Sequence, residues 1–178
     1  MPTQLKLIAL AAALALTACG KKEDAAGTAA PASDVLVVKI GHVGATSGAV
    51  AHLGKDNENG ARMAIDELNA AGITIGDKPA RFELLAEDDA ADPKQGSAAA
   101  QKLVDAQVHG VVGHLTSGTS LPASHIYHSA GIPQITPSST NPKLTRQGYA
   151  GTFRLVADDV QQGSAMGRYT VDTLKAKT

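Results

Sequence analysis

The chain has 178 residues and a formal net charge of −1, from 16 basic and 17 acidic side chains. Acids and bases are interspersed along the chain, which argues against a nucleic-acid-binding surface. Tryptophan is absent and there are only two phenylalanines and three tyrosines, so a core must consist mainly of Ala, Val, Leu and Ile. The single cysteine excludes a disulfide within the chain.

The N-terminus has the pattern of an export signal. Lys6 precedes an apolar stretch from Leu7 to Leu16, and the small residues "TAC" follow. The stretch is too short to span a bilayer and is typical of a signal-peptide core, so residues 1–18 are predicted to be a signal peptide. "LTAC" also resembles the bacterial lipobox, in which cleavage occurs before a cysteine that is then lipid-modified. The alternative is an ordinary signal peptide in which Cys19 has no role.

We expect lipidation of Cys19, which would anchor the exported chain to a membrane in the periplasm or outer cell envelope. Residues 19–34 contain no large apolar side chain beyond this cysteine. Such a segment cannot bury enough surface to offset its ordering entropy, so it is predicted to be a flexible tether. The folded part then begins near Val35 and is long enough for one domain.

Strand-like and helix-like segments alternate through the folded part. Apolar runs rich in β-branched residues predict strands, at residues 35–44, 80–89, 108–115, 132–138 and 151–156. Amphipathic or capped segments predict helices, at residues 57–72, 92–107, 120–131 and from 158 onwards. In the second helix Asp92 is the expected N-cap, with Pro93 following. The alternation predicts an α/β fold, a Rossmann-like parallel sheet with helices on both faces.

Three loops rich in glycine or hydroxyl residues follow predicted strands, at 45–55, 115–120 and 136–141. Ligands bind at the carboxyl ends of such strands. "TSGTS" also begins a helix, where free N–H groups attract an anion, and Ser117 and Thr119 add hydroxyls there. Neither "TSGTS" nor "TPSSTNP" contains Lys or Arg, so a single carboxylate fits better than a phosphate. The alternative, that these are only caps and turn residues, is left open by composition.

Motifs for catalysis are not found. No phosphate-binding P-loop, G-x-G-x-x-G or G-x-S-x-G pattern is present, so we expect no enzyme activity and no cofactor. The six histidines are scattered, and we expect them to be solvated surface residues rather than metal ligands. The acidic run Glu87–Asp89 is expected to cap the loop that follows it rather than to act as a catalytic carboxylate pair.

Taken together, these segments resemble the leucine/isoleucine/valine-binding proteins, the periplasmic receptors of branched-chain amino acid ABC transporters. The resemblance runs without gaps from about Val38 to Tyr169. It is carried by "IGHVGATSGAVAHLGKDNENGARMAIDELNAAG", "EDDAADPKQGSAAAQKLV", "VVGHLTSGTSLPAS", "ITPSSTNPKLT" and "DDVQQG". The resemblance implies the type I periplasmic binding protein fold, with two lobes and the amino acid bound in the cleft between them.

The resemblance also implies site residues. Those that hold the ligand's carboxylate and amino groups match Ser117, Ser138 and Thr140. Well-studied members have an aromatic residue over the ligand side chain. Leu53 occupies the matching position here, so the resemblance implies a pocket wall that lacks this aromatic ring and has a different shape. Some members have a disulfide at the positions of Ala91 and Thr116, which this chain lacks.

By this resemblance residues 35–156 form a partial first lobe, and residues 157–178 form the hinge and the first helix of a second lobe. Family members are much longer, so we expect an incomplete lobe with exposed apolar surface and weak or no binding by this chain alone. The implied function is delivery of a branched-chain or similar amino acid to an ABC transporter permease. The alternatives are an amide or amino-acid sensor with a signalling partner, and a non-functional fragment.

Overall fold

The computed structural model describes residues 34–177, and these form an α/β unit around one six-stranded sheet. The strand order is β2-β3-β1-β4-β5-β6, and every pairing is parallel except that of β2 with β3. The strands are β1 Leu36–Gly44, β2 Thr74–Ile75, β3 Lys78–Asp88, β4 Gly110–Gly113, β5 Gln134–Thr136 and β6 Thr152–Arg154. The predicted parallel sheet is confirmed, and the short antiparallel edge strand β2 was not foreseen.

Four α-helices connect or follow these strands: α1 Ala51–Ala70, α2 Pro93–Asp105, α3 Ser117–Ser129 and α4 Asp159–Arg168. A 3-10 turn, Pro142–Thr145, and a terminal π-helical turn, Tyr169–Thr173, complete the described part. Helix α2 begins as predicted, because the Asp92 side chain accepts hydrogen bonds from the backbone N–H groups of Lys94 and Gln95.

Helix α1 begins at Ala51 rather than at residue 57 as predicted, so the loop after β1 is correspondingly shorter. The buried Gly54 allows the early start. A Cβ atom at this position would lie 2.0 Å from the carbonyl oxygen of Ala45. Only a glycine therefore lets the first turn of α1 pack directly against the backbone at the end of β1.

One face of the sheet carries the main core. Val43 and Val111 on this face are fully buried against Leu103 of α2 and Tyr127 of α3. The two helices approach each other closely at Gly96, where a Cβ would lie 2.9 Å from the Cβ of Thr119. Burial of these apolar side chains, at about 25 cal/mol per Å², is the main stabilising contribution to the fold.

The opposite face is covered only in part, by α1. Ile65 of α1 is buried, but Ile40, Leu84 and Val112 border a cavity of about 440 Å³ between the helix and the sheet. Further along this face, towards β6, the Phe153 side chain is 51% exposed. The exposed apolar surface expected from the sequence is therefore present on this face.

Helix α4 extends from the rest of the unit, and every residue from 159 to 177 is exposed. Its start is held by Asp158, which accepts hydrogen bonds from Gln161 N–H and from the Arg146 guanidinium at 2.7 Å. The division into residues 35–156 and 157–178 stays a prediction. Among the described residues, the structure contains no helix with both the length and the apolar character needed to cross a membrane.

Candidate functional site

The strand order locates a crevice at one edge of the sheet. From β1 the chain passes to β3 on one side, whereas β4, on the other side of β1, leads on to β5 and β6. In open α/β sheets, ligands bind outside the carboxyl ends of the strands at the point where the order reverses. Here that point lies between the ends of β1 and β4, beside the loop residues 45–50 and the start of α3.

Ser117 is the first residue of α3, and Thr116 makes no side-chain capping hydrogen bond there. The N–H groups of the first helical turn have no acceptor within the helix, and the helix dipole adds a partial positive charge at this end. The Ser117 Oγ accepts a hydrogen bond from the backbone N–H of Asn141 at 3.1 Å. Its hydroxyl proton therefore stays free to donate, as binding of a carboxylate requires.

Ser138 lies opposite, in the loop after β5. Its hydroxyl donates to the carbonyl oxygen of Leu115 at 2.7 Å, and the Asn57 amide of α1 approaches its oxygen at 3.4 Å. Because its proton is used and one lone pair accepts from Asn57, the Ser138 oxygen has one lone pair left as an acceptor. Thr140 follows two residues later and is half-buried. The structure thus brings Ser117, Ser138 and Thr140 together in two loops joined by hydrogen bonds.

Two other predicted residues are placed differently. Thr119 is fully buried, and its hydroxyl bonds to the carbonyl oxygen and the hydroxyl of Thr116. The structure therefore assigns the Thr119 hydroxyl to holding the start of α3. Leu53 lies in the first turn of α1 rather than in a loop, and its side chain is 48% exposed.

The carboxylates at the end of β3 hold the loop that follows. Asp88 accepts hydrogen bonds from the backbone N–H groups of Thr46 and Ala90, at 2.9 and 2.8 Å, and Asp89 accepts one from Ala91. Burial would raise the pKa of Asp88, but hydrogen bonds, first that of Ser47, outweigh it and hold that pKa below its usual value. The capping role expected for this acidic run agrees with these contacts.

The prediction that all histidines are solvated is wrong for two of them. His42 and His114 are 1% and 0% exposed. His42 lies near the carboxyl end of β1 on the face covered by α1, and neither of its ring nitrogens has a hydrogen-bond partner among the described residues. Burial lowers the pKa of both imidazoles. Each of these two histidines lies within an apolar segment predicted to form a strand, and this position was the sign of burial that the sequence offered.

Asn57 is a site residue that the sequence analysis did not single out. Its amide reaches Ser138 from α1, so it closes the crevice on the side of that helix. Nothing in its immediate sequence marks it, because the contact spans 81 residues of chain. Within residues 34–177 no cluster of His, Cys, Asp or Glu is arranged to hold a metal ion.

The fold and this crevice define a class of protein, an open α/β lobe with hydroxyl and backbone groups gathered at the carboxyl ends of its strands. The sequence model of the Periplasmic binding protein family matches residues 37–178. The chain belongs to this family.

Curated relatives agree with this membership. An "Amino acid binding protein" of Pseudomonas aeruginosa is 45% identical over 141 residues, which are 79% of this chain and 37% of that protein. The "Leucine-specific-binding protein" of Salmonella typhimurium is 44% identical over 138 residues, 78% of this chain and 37% of that protein. The chain thus spans little more than a third of the length of these relatives.

Solved structures show the same fold. The branched-chain amino acid transporter substrate binding protein LivJ from Streptococcus pneumoniae, in complex with isoleucine, superposes with a TM-score of 0.72 at 33% identity, over 79% of this chain and 39% of that one. A leucine binding protein from Thermotoga maritima gives a TM-score of 0.69 at 28% identity, over 79% of this chain and 38% of that one.

Proposed function

We propose that the chain forms the first ligand-binding lobe of the solute-binding component of an ABC transporter, which takes a branched-chain or similar aliphatic amino acid to its permease. The observation that carries the proposal is the opposite hydrogen-bonding polarity of Ser117 and Ser138. The Ser117 hydroxyl is free to donate, and the Ser138 oxygen, which accepts from Asn57, keeps a second lone pair that can accept. An α-amino acid presents a carboxylate that accepts and an ammonium group that donates, so it complements both.

The charge of the crevice supports a ligand of this kind. Segments 116–120 and 136–142 contain no Lys or Arg, so neither of them supplies a full positive charge for a phosphate. The first turn of α3 supplies N–H donors and a partial positive charge, which suit a single carboxylate. In this proposal Thr140 supplies a further hydroxyl, Leu53 an aliphatic wall, and Thr119 holds the loop.

The relatives support the proposed transport function over a signalling one. One structural neighbour is described as a transporter substrate binding protein with isoleucine bound, and curated relatives are described as leucine-binding or amino-acid-binding. Location in the periplasm follows from the family together with the signal-like residues 1–18. Lipid anchoring through Cys19 is part of the proposal and lies outside the described residues.

The test is a titration of the chain with L-leucine, L-isoleucine and L-valine, followed by NMR. We expect weak, saturable binding that shifts the amide resonances of Ser117 and Gly118. Leucinamide, which lacks the carboxylate, should not shift them. Substitution of Ser117→Ala should weaken leucine binding by about tenfold, because it removes a hydrogen bond to a charged group.

Ser129→Ala is the matched control, because Ser129 lies at the far end of the same helix and its hydroxyl donates to the His125 carbonyl. It should leave the affinity unchanged. Equal affinity in the Ser117→Ala variant, or equal shifts with leucinamide, would contradict the proposed site.

A further inference from the structure

A buried polar network lies directly beneath the crevice. The His114 ring bonds through Nδ1 to the carboxylate of Asp89 at 2.9 Å and through Nε2 to the hydroxyl of Tyr127 at 3.1 Å. All three residues are 0% exposed. They come from three elements, since Asp89 follows β3, His114 follows β4 and Tyr127 lies in α3.

The proton positions in this network follow from its chemistry. Burial would raise the pKa of Asp89, but hydrogen bonds from the His114 ring and the Ala91 N–H keep that pKa below its usual value, so the carboxylate is ionised and can only accept. Nδ1 of His114 therefore carries the proton. Because burial lowers the pKa of His114, its Nε2 is unprotonated and accepts from the Tyr127 hydroxyl. The network is fully satisfied in this one tautomer.

The backbone of the same histidine joins the two loops of the site. The His114 carbonyl oxygen accepts a hydrogen bond from the Thr136 hydroxyl at 2.8 Å. The Ser120 and Ser139 hydroxyls bond to each other at 2.6 Å and each lies 3.3 Å from the same carbonyl oxygen, so one of the two donates to it. The next carbonyl along, that of Leu115, accepts from Ser138. The orientation of this peptide segment thus sets where both loops lie. Because Asp89 and Tyr127 hold the His114 ring, they also hold the backbone of residues 114 and 115 in place.

We infer that His114, held between Asp89 and Tyr127, is a positioning residue for the ligand site, which sets the relative placement of Ser117 and Ser138. This inference rests on the proposed function for its ligand. The network is sealed from solvent, so its residues act through the loops and do not touch the ligand. A positioning role also explains why several hydroxyls around residues 114 and 115 donate to backbone carbonyl oxygens of this segment rather than to a ligand.

Tyr127→Phe is the sharpest test, because it removes one hydroxyl from the network and preserves the ring that packs in the core. Its matched control is Tyr149→Phe, since Tyr149 also bonds to a histidine, His125 Nδ1 at 3.1 Å, but at an exposed site. We expect Tyr127→Phe to weaken L-leucine binding by about three- to tenfold and Tyr149→Phe to leave it unchanged.

A second measurement, without ligand, separates this inference from the proposed function. Nitrogen-15 NMR of the ring should show His114 protonated at Nδ1, with an Nε2 resonance that moves in Tyr127→Phe. The amide resonances of Ser117 and Ser138 should move in the same variant and not in Tyr149→Phe. If the chain binds no leucine, the proposed function fails while these shifts still support the positioning role. A Tyr127→Phe variant that loses only thermal stability, with site resonances and affinity unchanged, would overturn it.

Discussion

Two glycines of helix α1 show that the effect of a glycine-to-alanine substitution on stability depends on the atoms around it. Gly54 faces the Ala45 backbone, whereas a Cβ at Gly60 would meet nothing within 4 Å. Gly54→Ala should destabilise the fold by about 1–3 kcal/mol through overpacking. Gly60→Ala should stabilise it by about 0.5–1 kcal/mol, because alanine loses less backbone entropy in a helix. Urea unfolding of both variants measures this, and equal effects of the same sign would contradict the close packing of α1 against β1.

A helix cap stabilises the helix that it begins. Asp92→Ala should cost about 1 kcal/mol of unfolding free energy, because two N–H groups at the start of α2 lose their acceptor. Asp92→Asn keeps a side-chain oxygen in the same place and should cost much less. Urea unfolding of the pair measures the cap, and an equally large loss in the asparagine variant would show that the charge matters rather than the hydrogen bonds. A less stable α2 lowers the stability of the whole fold, because Leu103 of this helix packs in the core.

Protonation of the buried histidines affects the free energy of unfolding of the whole molecule. His42 lies near Glu58, Arg62 and His114, and burial is the largest effect on its pKa, which it lowers. An unfolded histidine has a pKa of about 6.5, so below that pH the unfolded chain binds protons that the folded chain does not. Stability should therefore be constant above about pH 7 and fall as pH drops below about 6.5. Each such histidine contributes up to about 1.4 kcal/mol per pH unit.

Unfolding free energies measured between pH 8 and pH 5 test this dependence. The His42→Gln variant leaves only His114, with its neighbours Asp89 and Tyr127, as a buried imidazole. Its slope below about pH 6.5 should be less steep than that of the unchanged chain, whatever its absolute stability. The same slope in both proteins would show that His42 is not buried in its neutral form.

With the exception of the edge strand β2, the order and kind of the strands and α-helices could be read from the sequence, because each is set by local chemistry. The β-branched run of β1, the Asp92 cap and the capping carboxylates Asp88 and Asp89 behave as their residue types dictate. The start of α1 could not be predicted, since it depends on contact between Gly54 and a strand end nine residues earlier.

At the site, sequence resemblance pointed to Ser117, Ser138 and Thr140, and composition indicated a ligand with one carboxylate. By itself the sequence determined the alternation of strands and helices, the polar loops at the strand ends and the lack of Lys and Arg in two of these loops, because these are local properties. The tertiary structure alone decided which hydroxyl donates, which accepts and which histidines are buried. The reason is physical: the partners Asn141, Leu115 and Asp89 are distant in sequence, and a hydrogen bond depends on distance and direction in space.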